Sequence, residues 1–183
     1  MELLKEIVRL KGLRTEGSTI YREAVRGIIA NGSKLLLIHS TKNGDYKFPG
    51  GGIIGSETHQ ETLAREIREE CGARVTQFGP AFGKVIEYDT PMEAEFDVFK
   101  MTSFYYLCQV EQGFFVQQLE QYERDLGFHP VWIDIDDAIR DNQKIARSAP
   151  HNGARSVLIE MHWLPREIFV LEQIRERFFH NQS

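Results

Sequence analysis

Between Gly51 and Ala73 the chain reads GGIIGSETHQETLAREIREECGA, and the spacing commits this stretch to a glycine loop, a capped helix and a stop. Thr58 followed by Glu61 forms a capping box, which predicts a helix starting near His59, and Gly72 supplies the residue that ends it. At about 100° per residue, Leu63, Ile67 and Cys71 make a narrow apolar stripe. Glu66, Glu69 and Glu70 cluster beside that stripe, because positions three and four apart share a helix face. Three neighbouring carboxylates repel one another, so the sequence needs a compensating charge. Oxygen-only ligands favour hard cations, which points to Mg²⁺ or Mn²⁺, with Ca²⁺ as an inactive substitute.

An acidic helix alone is commonly a solvated face. Here Phe48-Pro49-Gly50-Gly51-Gly52 leads into it, and three successive glycines permit close backbone approaches that side chains would block. The joint pattern is Gly51, Glu57, Arg65-Glu66-Ile67, Glu69-Glu70 and Gly72-Ala73, and it resembles the Nudix box. The resemblance implies a Nudix-type α/β/α sandwich with a mixed sheet and a loop-helix-loop motif. It also implies a hydrolase in which divalent metal, Mg²⁺ or Mn²⁺, is held against a pyrophosphate that water cleaves. Glu66, Glu69 and Glu70 match the metal-binding carboxylates, with Glu66 and Glu70 the first choices for direct ligation. Arg65 matches the arginine that orients them through Glu57 or a ligand carboxylate, and Gly51 and Gly52 shape the loop near metal or substrate. Ala73, the Ile54-Gly55-Ser56 segment and Tyr46 depart from the usual pattern without touching the carboxylates. The implied substrate is a nucleoside diphosphate or triphosphate derivative. A nucleotide-sensing module of the same fold without turnover is the alternative.

A proton acceptor outside the box is also implied, and Glu120, Glu123 and Glu111 are the candidates. Phe104, Tyr105 and Tyr106 alternate across a strand, so one ring could face a base-binding cleft while core packing takes the others. The six histidines form no ligand motif and read as structural or surface groups. Tyr88 and Pro91 both fall in the region where family members carry substrate signatures, so the two together select no substrate.

The 183 residues suit a single domain spanning 1–183. Residues 2–10 read as a short amphipathic helix with Leu3, Leu4, Ile7 and Val8 inward. Tyr21–Ala30 and Lys34–His39 read as strands joined by an Asn31-Gly32-Ser33 hairpin turn. Further strands are expected within Val75–Tyr88, at Met101–Val110 and at His129–Asp134, and helices at Ile135–Asn142, Ala154–Trp163 and Pro165–Phe179, with partial helix in Phe114–Phe128. The terminal helices and the resemblance are consistent with a homodimer. A net charge of −5 argues against a nucleic acid partner, since it offers no broad electrostatic footprint. No apolar run approaches the length of a membrane span, and the start lacks a signal peptide's apolar stretch, so the expected location is cytoplasmic. Cys71 and Cys108 give neither metal spacing nor a disulfide framework.

Overall fold

The continuous apolar run Leu35-Leu36-Leu37-Ile38 explains the centre of the fold. All four side chains are fully buried. Leu35 and Leu37 enter one core and Leu36 and Ile38 the other, as a strand covered on both faces requires. The computed structural model describes residues 1–111, 113, 115–148 and 161–179. This central strand, β4 (Lys34–Ser40), pairs along its length with antiparallel β8 (Phe128–Asp134). Its other edge takes the short strands β3 (Ala30–Asn31) and β5 (Tyr46–Lys47). The expected turn at Asn31-Gly32-Ser33 is present between β3 and β4, with Gly32 at φ 58°.

A second sheet has the order β1-β6-β7-β2, formed by β1 (Leu3–Val8), β6 (Arg74–Asp89), β7 (Val98–Glu111) and β2 (Thr19–Ile28). It is mixed: β1 with β6 and β2 with β7 run parallel, whereas β6 and β7 are antiparallel. Helix α1 (His59–Cys71) packs into the core beneath β2, β6 and β8. On the opposite side lie α3 (Ile135–Ser148) and α4 (Leu164–Ile174), the latter running into a π-helical turn at Arg175–Phe179. A short helix, α2 (Gln121–Leu126), precedes β8. The result is the expected α/β/α layering. Among the described residues no helix is long and apolar enough to cross a membrane.

The N-terminal helix expected over residues 2–10 is instead strand β1, paired parallel to β6. Leu4 and Ile7 are its inward residues, and their spacing of three reads as helical. The register slips between Leu3 and Lys5, so a bulge shifts the strand's phase and lets both face the core. The Ala154–Trp163 helix and the break at 148–153 fall mostly outside the described residues. Cys71 and Cys108 are free and buried.

Candidate active site

Local sequence sets up α1 as expected. Thr58 Oγ1 accepts from Glu61 N–H at 3.3 Å, and Thr58 N–H donates to Glu61 Oε2 at 2.8 Å. Gly72 ends the helix in the left-handed region at φ 61°, where a Cβ would also strike the Phe115 carbonyl. The glycine loop then runs antiparallel beside β2. Val25 N–H donates to Gly51 O at 2.9 Å, Gly27 N–H to Pro49 O at 2.8 Å, and Ile53 N–H to Glu23 O at 3.2 Å.

That pairing lays the loop against the carboxylates of α1. Gly50 N–H donates to Glu70 Oε2 at 2.6 Å, and Lys47 Nζ lies 3.1 Å from Glu70 Oε1. A Cβ on Gly51 would land in the Glu66 carboxylate. A Cβ on Gly50, whose φ is 134°, would overlap the Val25 carbonyl oxygen, whereas one on Gly52 would make only ordinary contact with Arg22. The three glycines therefore do different things: Gly50 fits the loop to β2, Gly51 admits Glu66, and Gly52 leaves its carbonyl to Arg65.

Arg65 ties the helix together. Its Nε and Nη2 donate to the two oxygens of Glu57 at 2.8 and 2.9 Å, and its Nη1 to Glu66 Oε1 at 2.7 Å. Nη1 also lies 3.4 Å from Glu69 Oε2, and Nη2 donates to Gly52 O at 3.1 Å. The guanidinium so held lowers the Glu57 carboxyl to about 2.

The three glutamates are not equivalent. Glu70 is 1 % exposed, and burial pushes its pKa up. Burial first, then the neighbouring Glu70, push Glu66 up to about 7. Glu69 is the most exposed, with 35 % of its side chain accessible. In the present rotamers, no group of three His, Cys, Asp or Glu side chains among the described residues is placed to hold a metal ion. Arg65, Lys47 and the Gly50 N–H instead neutralise the carboxylates. The donor set nevertheless fits a hard cation: Glu70 Oε1 is buried with only the Lys47 ammonium beside it, Glu66 has room only because Gly51 lacks a side chain, and burial pushes both carboxyls toward the neutral form.

A carboxyl raised in the folded state contributes stability below its unfolded value of 4.5 and loses it as pH rises through about 7. Melts of chelator-treated protein should lose up to about 3 kcal/mol across that window, from a shift worth roughly 1.4 kcal/mol per pH unit. Added Mg²⁺ or Mn²⁺ should recover the loss, and Glu66→Gln should flatten the profile. A melting temperature independent of pH and cation would overturn this view of Glu66.

A cavity of about 570 Å³ opens over these residues. Glu120 and Glu123 line it, delivered by a loop tethered to α1 through Gln118 N–H to Glu69 O at 2.8 Å and Gln117 Nε2 to Glu70 O at 2.6 Å. Glu123 is buried, and its oxygens accept from Glu120 N–H and Tyr122 O–H, both at 2.9 Å. Glu111 is absent from the cavity lining and pairs at the surface with Arg74. Nor do the expected aromatics reach it. Tyr105 is fully buried in the core, while Phe104 and Tyr106 pack around His59, the Tyr106 hydroxyl lying 2.7 Å from His59 Nδ1.

Sequence reasoning missed most of the opposite wall, which carries Arg9, Phe99, Met101, His162, Trp163 and Arg166. It also missed Arg22 and Arg26, although both share the strand phase of buried Ala24 and a charged residue in that phase is a readable signal. His162, expected to be structural or at the surface, lines the cavity. Glu167 is fully buried and accepts from Phe48 N–H at 3.0 Å, fixing the entry to the glycine loop from α4.

The NUDIX domain model matches residues 20–152. In three dimensions the chain is similar to a NUDIX hydrolase from Nitrosomonas europaea, with a TM-score of 0.52 and 18% identity over 81% of this chain and 91% of that one. It is also similar to a MutT NUDIX hydrolase from Burkholderia pseudomallei, with a TM-score of 0.47 and 19% identity over 64% of this chain and 85% of that one. No curated protein sequence matches.

Proposed function

The chain belongs to the Nudix family, which makes it a pyrophosphohydrolase, and from that premise we propose that it cleaves a nucleoside diphosphate derivative using Mg²⁺ or Mn²⁺ held by α1. Glu66 and Glu70 are the proposed principal ligands, with the more exposed Glu69 beside them. The observation that carries this reading is the fit of Gly51 to Glu66, because a loop with any side chain there could not share space with that carboxylate. A divalent cation bound there would lower the pKa of a water and offset the phosphate charge.

The remaining work falls to the chain's own groups. Arg65 holds Glu57 and Glu66 in place. Arg26 donates through Nη1 to Gly50 O and Arg22 lies over Gly52, so both guanidiniums flank the loop where phosphate oxygens would rest. Glu120 is the preferred proton acceptor, since it is exposed at the cavity rim while both oxygens of Glu123 already accept hydrogen bonds.

A panel of ADP-ribose, nucleotide sugars, dinucleoside polyphosphates and normal or oxidised nucleoside triphosphates, incubated with Mg²⁺ or Mn²⁺ and analysed by mass, tests the reading. At least one member should be cut within its phosphate chain, and chelation should stop the cleavage. Tight binding of a nucleotide without product under either metal would favour the sensing module instead.

A further inference from the structure

The cavity divides into two compartments by charge. Six cationic side chains line it, and four are already paired with carboxylates. Lys47 meets Glu70 and Arg65 meets Glu57, Glu66 and Glu69. On the far wall Arg9 pairs with Glu87 and Asp89, and Arg166 with Glu87 and Glu167. Only Arg22 and Arg26, beside the glycine loop, have no carboxylate at ion-pair distance among the described residues. The guanidiniums free to meet an anionic diphosphate therefore lie at the loop, and the far wall, whose arginines are already held by carboxylates, is left for an uncharged group.

That wall carries three rings and a thioether, from Phe99, His162, Trp163 and Met101. Trp163 is fixed by its indole N–H, which donates to Asp45 Oδ2 at 2.6 Å. The His162 ring packs edge-on against it, with centroids 5.1 Å apart and planes at 77°. Phe99 and Met101 come from β7, on the strand phase that registers with Arg22. Three polar groups border this surface: Arg9 and Arg166, both engaged by carboxylates, and His162, kept neutral because burial, then Arg9 and Arg166, lower its pKa to about 4. A neutral imidazole offers one donor and one acceptor. The volume, about 570 Å³, is in the range that takes a whole nucleotide-sized ligand.

We propose that the wall made by Phe99, Met101, His162 and Trp163 is a subsite for the uncharged heteroaromatic ring of the substrate, a nucleobase. The inference rests on the diphosphate lying at the glycine loop, as in the proposed function. Arg9, His162 and Trp163 lie outside residues 20–152, so ring recognition here draws on segments flanking the matched domain.

Tryptophan fluorescence gives a direct test, since Trp132 and Trp163 are the two tryptophans of the chain. In Trp132→Phe, AMP, GMP, CMP or UMP should quench Trp163, and inorganic pyrophosphate should not. By calorimetry on otherwise native protein, Phe99→Ala and His162→Ala should each weaken binding of the best nucleoside monophosphate at least fivefold and leave pyrophosphate affinity within twofold. If Trp132→Phe does not fold, calorimetry decides alone. Equal quenching by pyrophosphate, or equal losses for both ligands, would overturn the subsite. Ring-selective quenching without hydrolysis under Mg²⁺ or Mn²⁺ would leave the subsite standing and remove the proposed substrate class. Hydrolysis indifferent to the presence of a ring would overturn the subsite and leave the metal-dependent cleavage of pyrophosphate standing.

Discussion

Glu70→Gln should lower turnover by about three orders of magnitude in saturating Mg²⁺, the scale on which losing one preorganised electrostatic group acts, and equivalent to about 4 kcal/mol of barrier. The substitution preserves shape, and the amide oxygen can still accept the Gly50 N–H that Glu70 holds at 2.6 Å. What disappears is a charge, buried to 1 % exposure, beside Glu66 and opposite Lys47. Because burial already favours the neutral form of Glu70, the variant should still fold, and loss of the Lys47 pair should lower its melting temperature only modestly. Loss of rate with the fold retained separates a catalytic role from a structural one. Glu111→Gln is the control: it pairs at the surface with Arg74 and should stay within twofold of the parent rate. Initial rates across a Mg²⁺ titration decide the matter, and a Glu70→Gln enzyme retaining a tenth of parental activity would exclude Glu70 as a principal ligand.

The glycine loop supplies the second large effect, graded over three consecutive positions. Gly50→Ala should cost roughly 4 kcal/mol or more, combining a strained left-handed backbone with overlap on the Val25 carbonyl. The Gly50 N–H and carbonyl both serve the site, so activity should vanish with the fold. Gly51→Ala should fold but lose at least about a hundredfold in rate, because its Cβ displaces the Glu66 carboxylate and a small misplacement of a reacting group is expensive. Gly52→Ala meets Arg22 at 3.6 Å and the Glu23 carbonyl at 3.9 Å, both ordinary contacts, and should change stability by less than about 1 kcal/mol. Denaturant melts and rates on the three variants would reverse this account if Gly52→Ala proved the most damaging.

Legibility followed the range of the interactions. The capping box and the Gly72 stop lie at the ends of one helix, so spacing alone reveals them, whereas the bonds of Arg65 to Glu57 and Glu66 were implied by the resemblance. The hairpin at Gly32 and the strand that follows it, β4, were legible from local spacing too. Strand β1 was not, because its bulge gives Leu4 and Ile7 a helical spacing and its partner, β6, is remote in sequence. The aromatic triplet on β7 was read with the right alternation, but its cavity-facing phase is occupied further toward the strand start by Phe99 and Met101.

By itself the sequence determined the loop, the helix, its apolar stripe and its line of carboxylates, while the reaction class came from their resemblance to the Nudix box. Local hydrogen bonding and helical periodicity fix those elements without reference to the rest of the chain. Only the tertiary structure decided that Glu70 is buried, that Gly51 rather than Gly52 makes room for Glu66, and that Glu120 and Glu123 but not Glu111 reach the cavity. It also brought Arg9 and the start of α4 together as one wall through Glu87, which pairs with both Arg9 and Arg166. Burial, steric exclusion and charge pairing between residues far apart in the chain depend on how the sheets and helices stack, and no spacing rule encodes that.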